Sequence, residues 1–353
     1  MAQTIFACVL LLIHLFNGGA VTPNDVKELK KRIFEGYDVN IRPVPNQTES
    51  IHVDMRFILA SIDNLDLKIQ KLKWNGFLSL RWTDITLSWN TSEYGGLDFI
   101  TVPQSNIWRP DYIINNEYVH LGVSQKKALG TSDTLVFIKS SGLVTWEPGM
   151  VSETSCKIDI RKYPFDTQTC SFDFLPWMTT SRFLNTTSLN KIDMASFVPH
   201  GEFTTGGSSV HFERINLVFT DDVLVTVRYD LVLHRRPAFY WMVMVFPMST
   251  FPMLSPISFL VPVASGEKIT LSITVVLSYF VFIGSMNDAM PKLSDTVSLI
   301  GTSILIFFSF EGLDFQGISR PHRGPILTVF SGQHRTNIGA TGSGEESRQM
   351  AEK

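Results

Sequence analysis

Hydrophobic and polar residues alternate along much of the N-terminal two thirds of the chain. From about residue 51, Val53, Met55 and Phe57 occupy every second position, and similar runs recur through residues 229–233. A period of two is typical of β-strands that bury one face. The pattern therefore predicts a β-sandwich of roughly 200 residues.

One amphipathic helix is expected before the strands. Thr22 suits a helix cap, Pro23 suits the first helical turn, and Leu29 and Ile33 follow at helical spacing. The predicted fold class is an extracellular β-sandwich with an N-terminal α-helix, over residues 21–236, followed by an α-helical transmembrane domain.

The pattern changes after Arg235, because no charged side chain occurs from residue 237 to residue 265. As a helix, this run is long enough to cross about 30 Å of hydrocarbon, and its internal prolines predict a kinked helix inside a bundle. Two apolar runs follow, of which the second covers only about 22 Å. We predict a transmembrane domain at 237–310, with full spans at about 238–262 and 269–287 and a shortened span at 296–310.

Small and hydroxyl side chains form one stripe along the predicted second span. The residues predicted to line a pore are Glu267, Thr270, Thr274, Leu277, Val281, Gly284 and Asp288. The stripe is equally compatible with close helix packing that involves no water, so periodicity alone leaves both interpretations open. The carboxylates at its two ends, about 31 Å apart on a helix, favour a cation pathway.

The composition supports a membrane protein. Hydrophobic residues make up 44 % of the 353 residues and charged residues 18 %, below the roughly 25 % of a typical soluble protein. Thirty basic and 33 acidic side chains give a net charge of -3, so no global basic field favours nucleic acid as a partner. The sequence contains no GxGxxG loop, HExxH motif or serine elbow, so we expect no enzyme, no metal and no cofactor.

Residues 1–20 have the features of a secretory signal peptide, with an apolar core and small residues before the expected cleavage position. A buried N-terminal strand or helix is the alternative. Removal of this segment takes Cys8 with it and leaves Cys156 and Cys170, an even number in an oxidising compartment. We expect these two cysteines to form a disulfide, with two unpaired core thiols as the alternative.

Three N-glycosylation sequons lie in polar, turn-like stretches. Their acceptor residues are Asn46, Asn90 and Asn185. All three precede the first predicted span, which is consistent with glycosylated loops outside the cell.

The segment from Cys156 to Cys170 encloses thirteen residues that include Tyr163-Pro164-Phe165-Asp166. It resembles the signature loop of the Cys-loop pentameric ligand-gated ion channels. Further matches to this family are Trp82-Thr83-Asp84, Trp108-Arg109-Pro110-Asp111 and Arg235-Arg236-Pro237. The second span, from Gly266 to Leu277, resembles the pore helix of the cation-selective branch, which includes nicotinic acetylcholine receptors, and is nearest to serotonin type 3 receptor subunits. The resemblance covers about residues 22–310.

The resemblance implies a multi-pass subunit of a pentamer in the plasma membrane, with an extracellular N-terminal domain and a postsynaptic setting. Its implied partners are other subunits in a heteromeric pentamer, the lipid bilayer, permeant monovalent cations and a small cationic neurotransmitter, serotonin or acetylcholine-like. The Cys loop would press on the membrane domain during gating. The implied gating residues are Pro164, Phe165, Asp166 and Arg235.

Transmitter sites in this family lie between neighbouring extracellular domains. On the principal face, the resemblance assigns Asn115 to the first binding loop and Trp177 to the second. In the third binding loop, Leu224 stands at the position where the family normally has an aromatic residue. On the complementary face, it assigns Phe77 and Trp146. An indole face attracts ammonium ligands, although Trp177, Phe77 and Trp146 are each also compatible with a purely structural position in the core.

Members of the family continue through a complete third helix, a cytoplasmic loop and a fourth helix. We expect this chain to be a C-terminally truncated form, with residues 311–353 as a disordered tail. The leading function is a subunit of a serotonin-type-3-like, transmitter-gated cation channel, in which an extracellular ligand opens a pore lined by the second span. The alternative is a truncated, non-conducting regulatory subunit that binds and modulates full-length partners. An immunoglobulin-like adhesion protein is less compatible with the polar stripe.

Overall fold

The computed structural model describes residues 21–118, 129, 134–218, 221–254, 257–262, 267–289, 298–303, 306 and 309. Within the helices, the side chains of 252, 258, 259, 268, 285 and 287–289 are not described. The predicted signal peptide (1–20), the predicted tail (311–353) and the side chain of Asp288 thus lie outside the described residues.

Helix α1 (Pro23–Phe34) opens the described chain. Thr22 caps it, because the Thr22 hydroxyl accepts a hydrogen bond from the Asp25 N–H at 3.3 Å while the Asp25 carboxylate accepts one from the Thr22 N–H at 2.7 Å. Such a reciprocal pair satisfies two backbone donors that the first helical turn leaves without partners. Leu29 and Ile33 lie on the buried face of the helix. The predicted N-terminal helix is confirmed.

Eleven strands follow within the described residues. They are β1 (Ile51–Asp66), β2 (Lys71–Thr83), β3 (Phe99–Pro103), β4 (Tyr112–Ile114), β5 (Leu135–Lys139), β6 (Leu143–Trp146), β7 (Gly149–Ser155), β8 (Thr167–Pro176), β9 (Leu184–Ser188), β10 (Phe203–Asn216) and β11 (Val223–Arg235). Short 3-10 turns lie at Ile85–Leu87, Thr91–Tyr94 and Gln104–Asn106.

The strands form two sheets. Sheet one has the order β3-β5-β6-β2-β1-β9, and β7 also pairs with β2. Sheet two has the order β10-β11-β8-β4. All pairs are antiparallel except β1 with β9, which run parallel from Ile51 opposite Leu184 to Met55 opposite Ser188.

The two sheets pack face to face around an aromatic core. The Phe57 ring lies 5.2 Å from Trp74, 4.9 Å from Phe172, 5.2 Å from Phe174 and 5.4 Å from Tyr229, measured between ring centroids. These rings come from both sheets, and tilted or edge-on contacts at this spacing add to the burial of apolar area. The alternation in β1 therefore produces the sandwich that the sequence predicted.

The helices after β11 are α2 (Ala238–Tyr240), α3 (Phe246–Leu254), α4 (Ile257–Leu260) and α5 (Glu267–Ala289), with a π-helical turn at Trp241–Val245 between α2 and α3. Within the segment predicted as the first span, residues 238–254 are helical with one π-helical turn, and residues 257–260 are helical again. The kink expected from the prolines stays a prediction. Residues 299–303 are helical at the start of the predicted third span. Among the described residues, no helix combines the length and the apolar character needed to cross a membrane.

Candidate functional site

Trp177 lies at the exposed end of sheet two, directly after β8. Its backbone N–H donates to the Asp111 carbonyl at 3.0 Å, and the next N–H, of Met178, donates to the Asp111 carboxylate at 2.7 Å. These bonds fix the loop after β8 to the start of β4. The Trp177 side chain keeps 51 % of its surface exposed. Its position therefore leaves much of the indole accessible to a ligand.

The other two principal-face candidates lie nearby on the same sheet. Asn115 follows β4, and its N–H donates to the Asp173 carbonyl at 2.7 Å. Leu224, at the start of β11, is buried against Ile113 and Leu175. Asn115 begins the turn directly after β4, whose Ile113 pairs with Leu175 of β8. The structure thus brings Asn115, Trp177 and Leu224 to one region of sheet two.

An ion pair beside Asn115 was not predicted from the sequence. The Arg228 guanidinium binds the buried Asp173 carboxylate through Nε and Nη2, both at 2.7 Å, and it also binds Glu213. The hydrogen bonds to Asp173 raise the pKa of Arg228. Arg228 and Asp173 face each other across β11 and β8, and only the strand register brings them together. No local motif could have revealed this pair.

Phe77 and Trp146 lie on sheet one, away from the principal-face candidates. Phe77 is exposed, and a Cβ placed on Gly149 opposite would come within 3.2 Å of its ring. Trp146 is only 2 % exposed, and its indole N–H donates to the Gln104 side chain at 2.9 Å. The Arg109 guanidinium lies 5.1 Å from the Trp146 ring centroid. Trp146 thus occupies the core position that the sequence left open as an alternative.

The Cys156–Cys170 disulfide is present, which confirms the predicted pairing. It closes the loop that carries Asp166. The Asp166 carboxylate accepts hydrogen bonds from Arg235 Nε at 2.7 Å and from Nη2 at 3.1 Å, and Arg235 Nη1 binds Glu202. The side chains of Arg235 and Asp166 are 0 % and 2 % exposed. The end of β11 is therefore joined to the Cys loop by a fully buried ion pair.

Aromatic rings surround the buried guanidinium. The Arg235 Cζ atom lies 5.1 Å from the Tyr163 ring centroid, 4.5 Å from Phe203 and 5.3 Å from Tyr240. Burial is the largest single influence and lowers the pKa of Arg235, but the hydrogen bonds to Asp166 and the negative charges of Asp166 and Glu202 together outweigh it, so the pKa is raised. Burial also raises the pKa of Tyr163. The cluster thus holds one cation between carboxylates and electron-rich ring faces.

The Cys loop contacts the helices that follow β11. The Tyr163 hydroxyl donates to the Met244 sulfur at 3.7 Å, and the exposed Phe165 ring lies 6.3 Å from the Trp241 ring. The Leu299 N–H donates to the carbonyl of Arg161 at 3.1 Å. Pro164, between the two aromatic residues of the loop, is buried. The four predicted gating residues therefore meet at the junction between the sandwich and the helices.

Helix α5 has a packed face and an exposed face. Val275, Tyr279 and Met286 are buried, and the Tyr279 ring lies 5.6 Å from the Phe251 ring of α3. The described pore candidates are all exposed, and they are Glu267, Thr270, Thr274, Leu277, Val281 and Gly284. Helical geometry places them opposite the packed face. Within the described part of the chain, the candidate pore stripe therefore faces away from α3, the helix whose Phe251 ring contacts Tyr279.

The three sequon asparagines are exposed. Asn46 and Asn90 lie in tight turns, where their side-chain oxygens accept the N–H groups of Thr48 at 3.1 Å and Ser92 at 3.2 Å. Asn185 lies on β9. Among the described residues, no three His, Cys, Asp or Glu side chains form a group that could hold a metal ion.

The fold is thus a two-sheet β-sandwich with a disulfide-closed loop at its base, and this loop packs against the helices that follow β11. Two family models match the chain. The neurotransmitter-gated ion-channel ligand binding domain matches residues 26–237, and the neurotransmitter-gated ion-channel transmembrane region matches residues 244–313. The chain belongs to the neurotransmitter-gated ion-channel family.

Similar known proteins are neuronal acetylcholine receptor subunits. Subunit alpha-3 of Homo sapiens is 30 % identical over 86 % of this chain and 57 % of its own length. Subunit alpha-6 of Mus musculus is 29 % identical over 90 % of this chain and 61 % of its own length, and subunit beta-3 of Homo sapiens is 28 % identical over 92 % and 68 %. The chain thus spans about three fifths of the length of the first two.

These relatives are receptor subunits and not enzymes, which confirms the expectation that the chain is no enzyme. The narrower similarity to serotonin type 3 receptors stays a prediction, because these three relatives are acetylcholine receptor subunits.

Proposed function

We propose that the chain is a subunit of a pentameric, ligand-gated cation channel of the nicotinic receptor type. The observation that carries the proposal is the junction at Arg235. This residue ends β11 and pairs with Asp166 in the Cys loop, while Phe165 of the same loop contacts Trp241 in the first helical segment. A movement of the sandwich therefore reaches the helices through packed side chains.

The ligand is proposed to be a small cation of the acetylcholine or serotonin kind. Trp177 supports this choice, because an accessible indole face attracts an ammonium group by about 1–2 kcal/mol when the contact is desolvated. Asn115 and Leu224 would form the rest of the principal face, and Phe77 and Trp146 of a neighbouring subunit would form the complementary face.

Cation selectivity is proposed to come from α5. Its exposed stripe begins at Glu267 and would end at Asp288, and five copies of each carboxylate around a central axis would attract cations. The hydroxyls of Thr274 and Ser278 donate to the carbonyls of Thr270 and Thr274 at 2.7 and 2.8 Å, so the helix satisfies these donors internally. The hydroxyl oxygens can still accept hydrogen bonds, so the stripe is compatible with a water-lined pore.

The subunit is proposed to lie in the plasma membrane of a postsynaptic cell, with spans at 238–262, 269–287 and 296–310. Asn46, Asn90 and Asn185 would carry glycans on the extracellular side, and the pentamer would be heteromeric.

A second candidate is an accessory subunit that does not bind agonist on its principal face. The observation in its favour is that Leu224 is an aliphatic side chain buried against Ile113 and Leu175, so it offers no ring to an ammonium group. In addition, the Arg109 guanidinium of the same chain already lies against the Trp146 ring, which leaves this indole less suited to a cationic ligand. Such a subunit would assemble with other receptor subunits and modify their response.

The test compares the full chain expressed alone with the full chain expressed beside an acetylcholine receptor subunit. We expect no agonist current from the chain alone, and we expect co-purification with the partner at the cell surface. Thr274→Cys should then make the mixed channel sensitive to a thiol reagent applied in the pore. Val275→Cys, its buried neighbour on the packed face, is the matched control.

Three results distinguish the candidates. Block of the Thr274→Cys channel but not of the Val275→Cys channel supports a pore-lining subunit. Surface co-purification without block in either variant supports the accessory subunit. An absence of any surface complex, with the chain itself delivered to the surface, would contradict both.

A further inference from the structure

A cleft opens between the two sheets at the edge where β9 ends sheet one and β10 ends sheet two. Its volume of about 580 Å³ lies within the range of roughly 300 to 1,000 Å³ that is usual for small-molecule sites. Thr186 and Ser188 line it from β9. The opposite wall is formed by two residues of β10 and two of β11, which are Phe212, Arg214, Val223 and Val225.

The cleft is separate from the candidate ligand region of the principal face. Val223 and Val225 line the cleft, whereas Leu224 between them is buried against Ile113 and Leu175. Successive side chains of a strand point to opposite faces. The cleft therefore lies behind β11 as seen from the candidate ligand region.

The β9 wall already has its hydrogen-bond partners inside the fold. The Thr186 hydroxyl bonds to the hydroxyl of Tyr112, and the Ser188 hydroxyl bonds to that of Tyr229 at 2.7 Å. Both tyrosines belong to sheet two and are buried, so these bonds join the sheets beside the cleft. Recognition of an occupant therefore depends mainly on the opposite wall.

That wall presents an open aromatic ring. The Phe212 side chain is 46 % exposed, although Val210, two residues earlier on the same face of β10, packs against the core. Val225 and Val223 lie beside it on β11. An apolar surface of one ring and two branched side chains is thus left without a covering strand, because β9 is the last strand of sheet one.

Arg214 gives the cleft its charge. It is the one charged side chain among the described residues that line the cleft. Its guanidinium forms no hydrogen bond or ion pair within the described part of the chain. Glu213, the adjacent carboxylate on β10, binds Arg228 instead. A guanidinium with free N–H groups matches the two oxygens of a carboxylate.

We propose that this cleft binds a small amphipathic anion, with a carboxylate on Arg214 and an apolar body against Phe212, Val223 and Val225. The single positive charge favours an anion and opposes a cation. The ligand class therefore differs from that of the cationic transmitter proposed above. The proposal goes beyond the proposed function and does not depend on agonist binding or conduction.

The test uses the purified full chain in deuterated detergent at neutral pH. The probe is 4-phenylbutyrate, which combines an aromatic ring with one carboxylate, and the uncharged reference is 4-phenylbutyramide. Saturation-transfer NMR titrations measure the affinity of each, and detergent without protein supplies the background. We expect saturable binding of the acid and roughly tenfold weaker binding of the amide, because hydrogen bonds to charged groups are the stronger ones.

Two variants separate the contributions of charge and ring. Arg214→Gln should weaken acid binding roughly tenfold and leave the acid and the amide nearly equal. Phe212→Ala should weaken both probes alike, by roughly fivefold. Arg81→Gln is the control for charge, because Arg81 is an exposed arginine of β2 outside this cleft. Phe99→Ala is the control for the ring, because Phe99 is 45 % exposed and lies at the far edge of sheet one.

An absence of saturable acid binding would overturn the proposal, as would equal binding of acid and amide by the unaltered chain. Unchanged acid binding in Arg214→Gln would overturn it as well. An equal loss in Arg81→Gln would place the anion elsewhere and would also overturn it. The ratio of acid to amide affinity is measured in one protein sample, so it does not depend on the folded fraction of a variant.

Discussion

Replacement of Asp166 by asparagine tests the junction most directly. The change removes one negative charge and leaves the size of the side chain almost unaltered. Arg235, whose side chain is 0 % exposed, would keep Glu202 as its one remaining carboxylate partner within the described residues. The variant therefore measures how much the free energy of unfolding depends on neutralisation of the Arg235 charge at the base of the sandwich.

The expected cost follows from burial. Removal of one partner from a buried ion pair typically costs about 3–5 kcal/mol, and the partly exposed Glu202 should limit the loss to about 3 kcal/mol. For a domain of this size, a loss of 1 kcal/mol lowers Tm by roughly 2–4 °C. We therefore expect Tm to fall by on the order of 10 °C.

The assay is thermal unfolding of the purified full chain in detergent, followed by tryptophan fluorescence at neutral pH. Asp159→Asn is the matched control, because Asp159 lies in the same loop and pairs with Arg161, but both side chains are exposed. Arg161 and its hydrogen bonds lower the pKa of Asp159 to about 2, yet exposed pairs contribute only about 0–1 kcal/mol.

Equal decreases in Tm for Asp166→Asn and Asp159→Asn would refute the reasoning. A double variant that also carries Arg235→Gln gives a second check, since residues in direct contact should show a coupling of about 1 kcal/mol or more. Strictly additive decreases would show that the two groups act independently.

Replacing Cys156 or Cys170 with serine should block assembly, because the closed loop contributes about 3 kcal/mol; surface labelling and non-reducing peptide mapping measure this. In a conducting assembly, Glu267→Ala should lower cation conductance or relax charge selectivity, and an unchanged reversal potential in a salt gradient would contradict the carboxylate ring. Trp177→Ala should weaken cationic agonist binding roughly 5- to 30-fold in a competition assay, with Trp177→Phe retaining part of the affinity. Burial raises the pKa of Tyr229 from 10.0 to about 12, and the unfolded phenol ionises first. Stability should therefore fall by about 3 kcal/mol as the pH rises between these values, seen as a falling Tm, and Tyr229→Phe should flatten this decline.

Features set by local sequence were predicted well. The cap at Thr22, the proline after it and the spacing of Leu29 and Ile33 define α1, and each acts within a few residues. Alternation in β1 likewise identified the buried face, because a strand exposes every second side chain to the same surroundings. The motif that encloses Asp166 identified the Cys loop and its disulfide.

Features set by strand register were not predicted. The contact of Arg228 with Asp173 and that of Arg109 with Trp146 join residues far apart in the sequence. Which side chains meet depends on how whole strands align, and a shift of one residue would reverse every face. The sequence therefore named Trp146 as a candidate but could not show that it lies in the core.

Strand β11 links the candidate ligand site to the junction as one unbroken element. It contains 13 residues, or about 40 Å of extended backbone, and its ladder with β8 runs in continuous register from Val227 to His234. Leu224 and Arg235 are separated by an odd number of residue steps, so they lie on opposite faces. Insertion of one residue into β11 between Leu224 and Arg235 would turn one of these two side chains to the other face of the sheet. Insertion of two residues would keep the faces but move one end of the strand by roughly 7 Å. We therefore expect the connection between β10 and β11 to tolerate changes in length. The number of residues in β11 itself cannot change without displacing either Leu224 or Arg235.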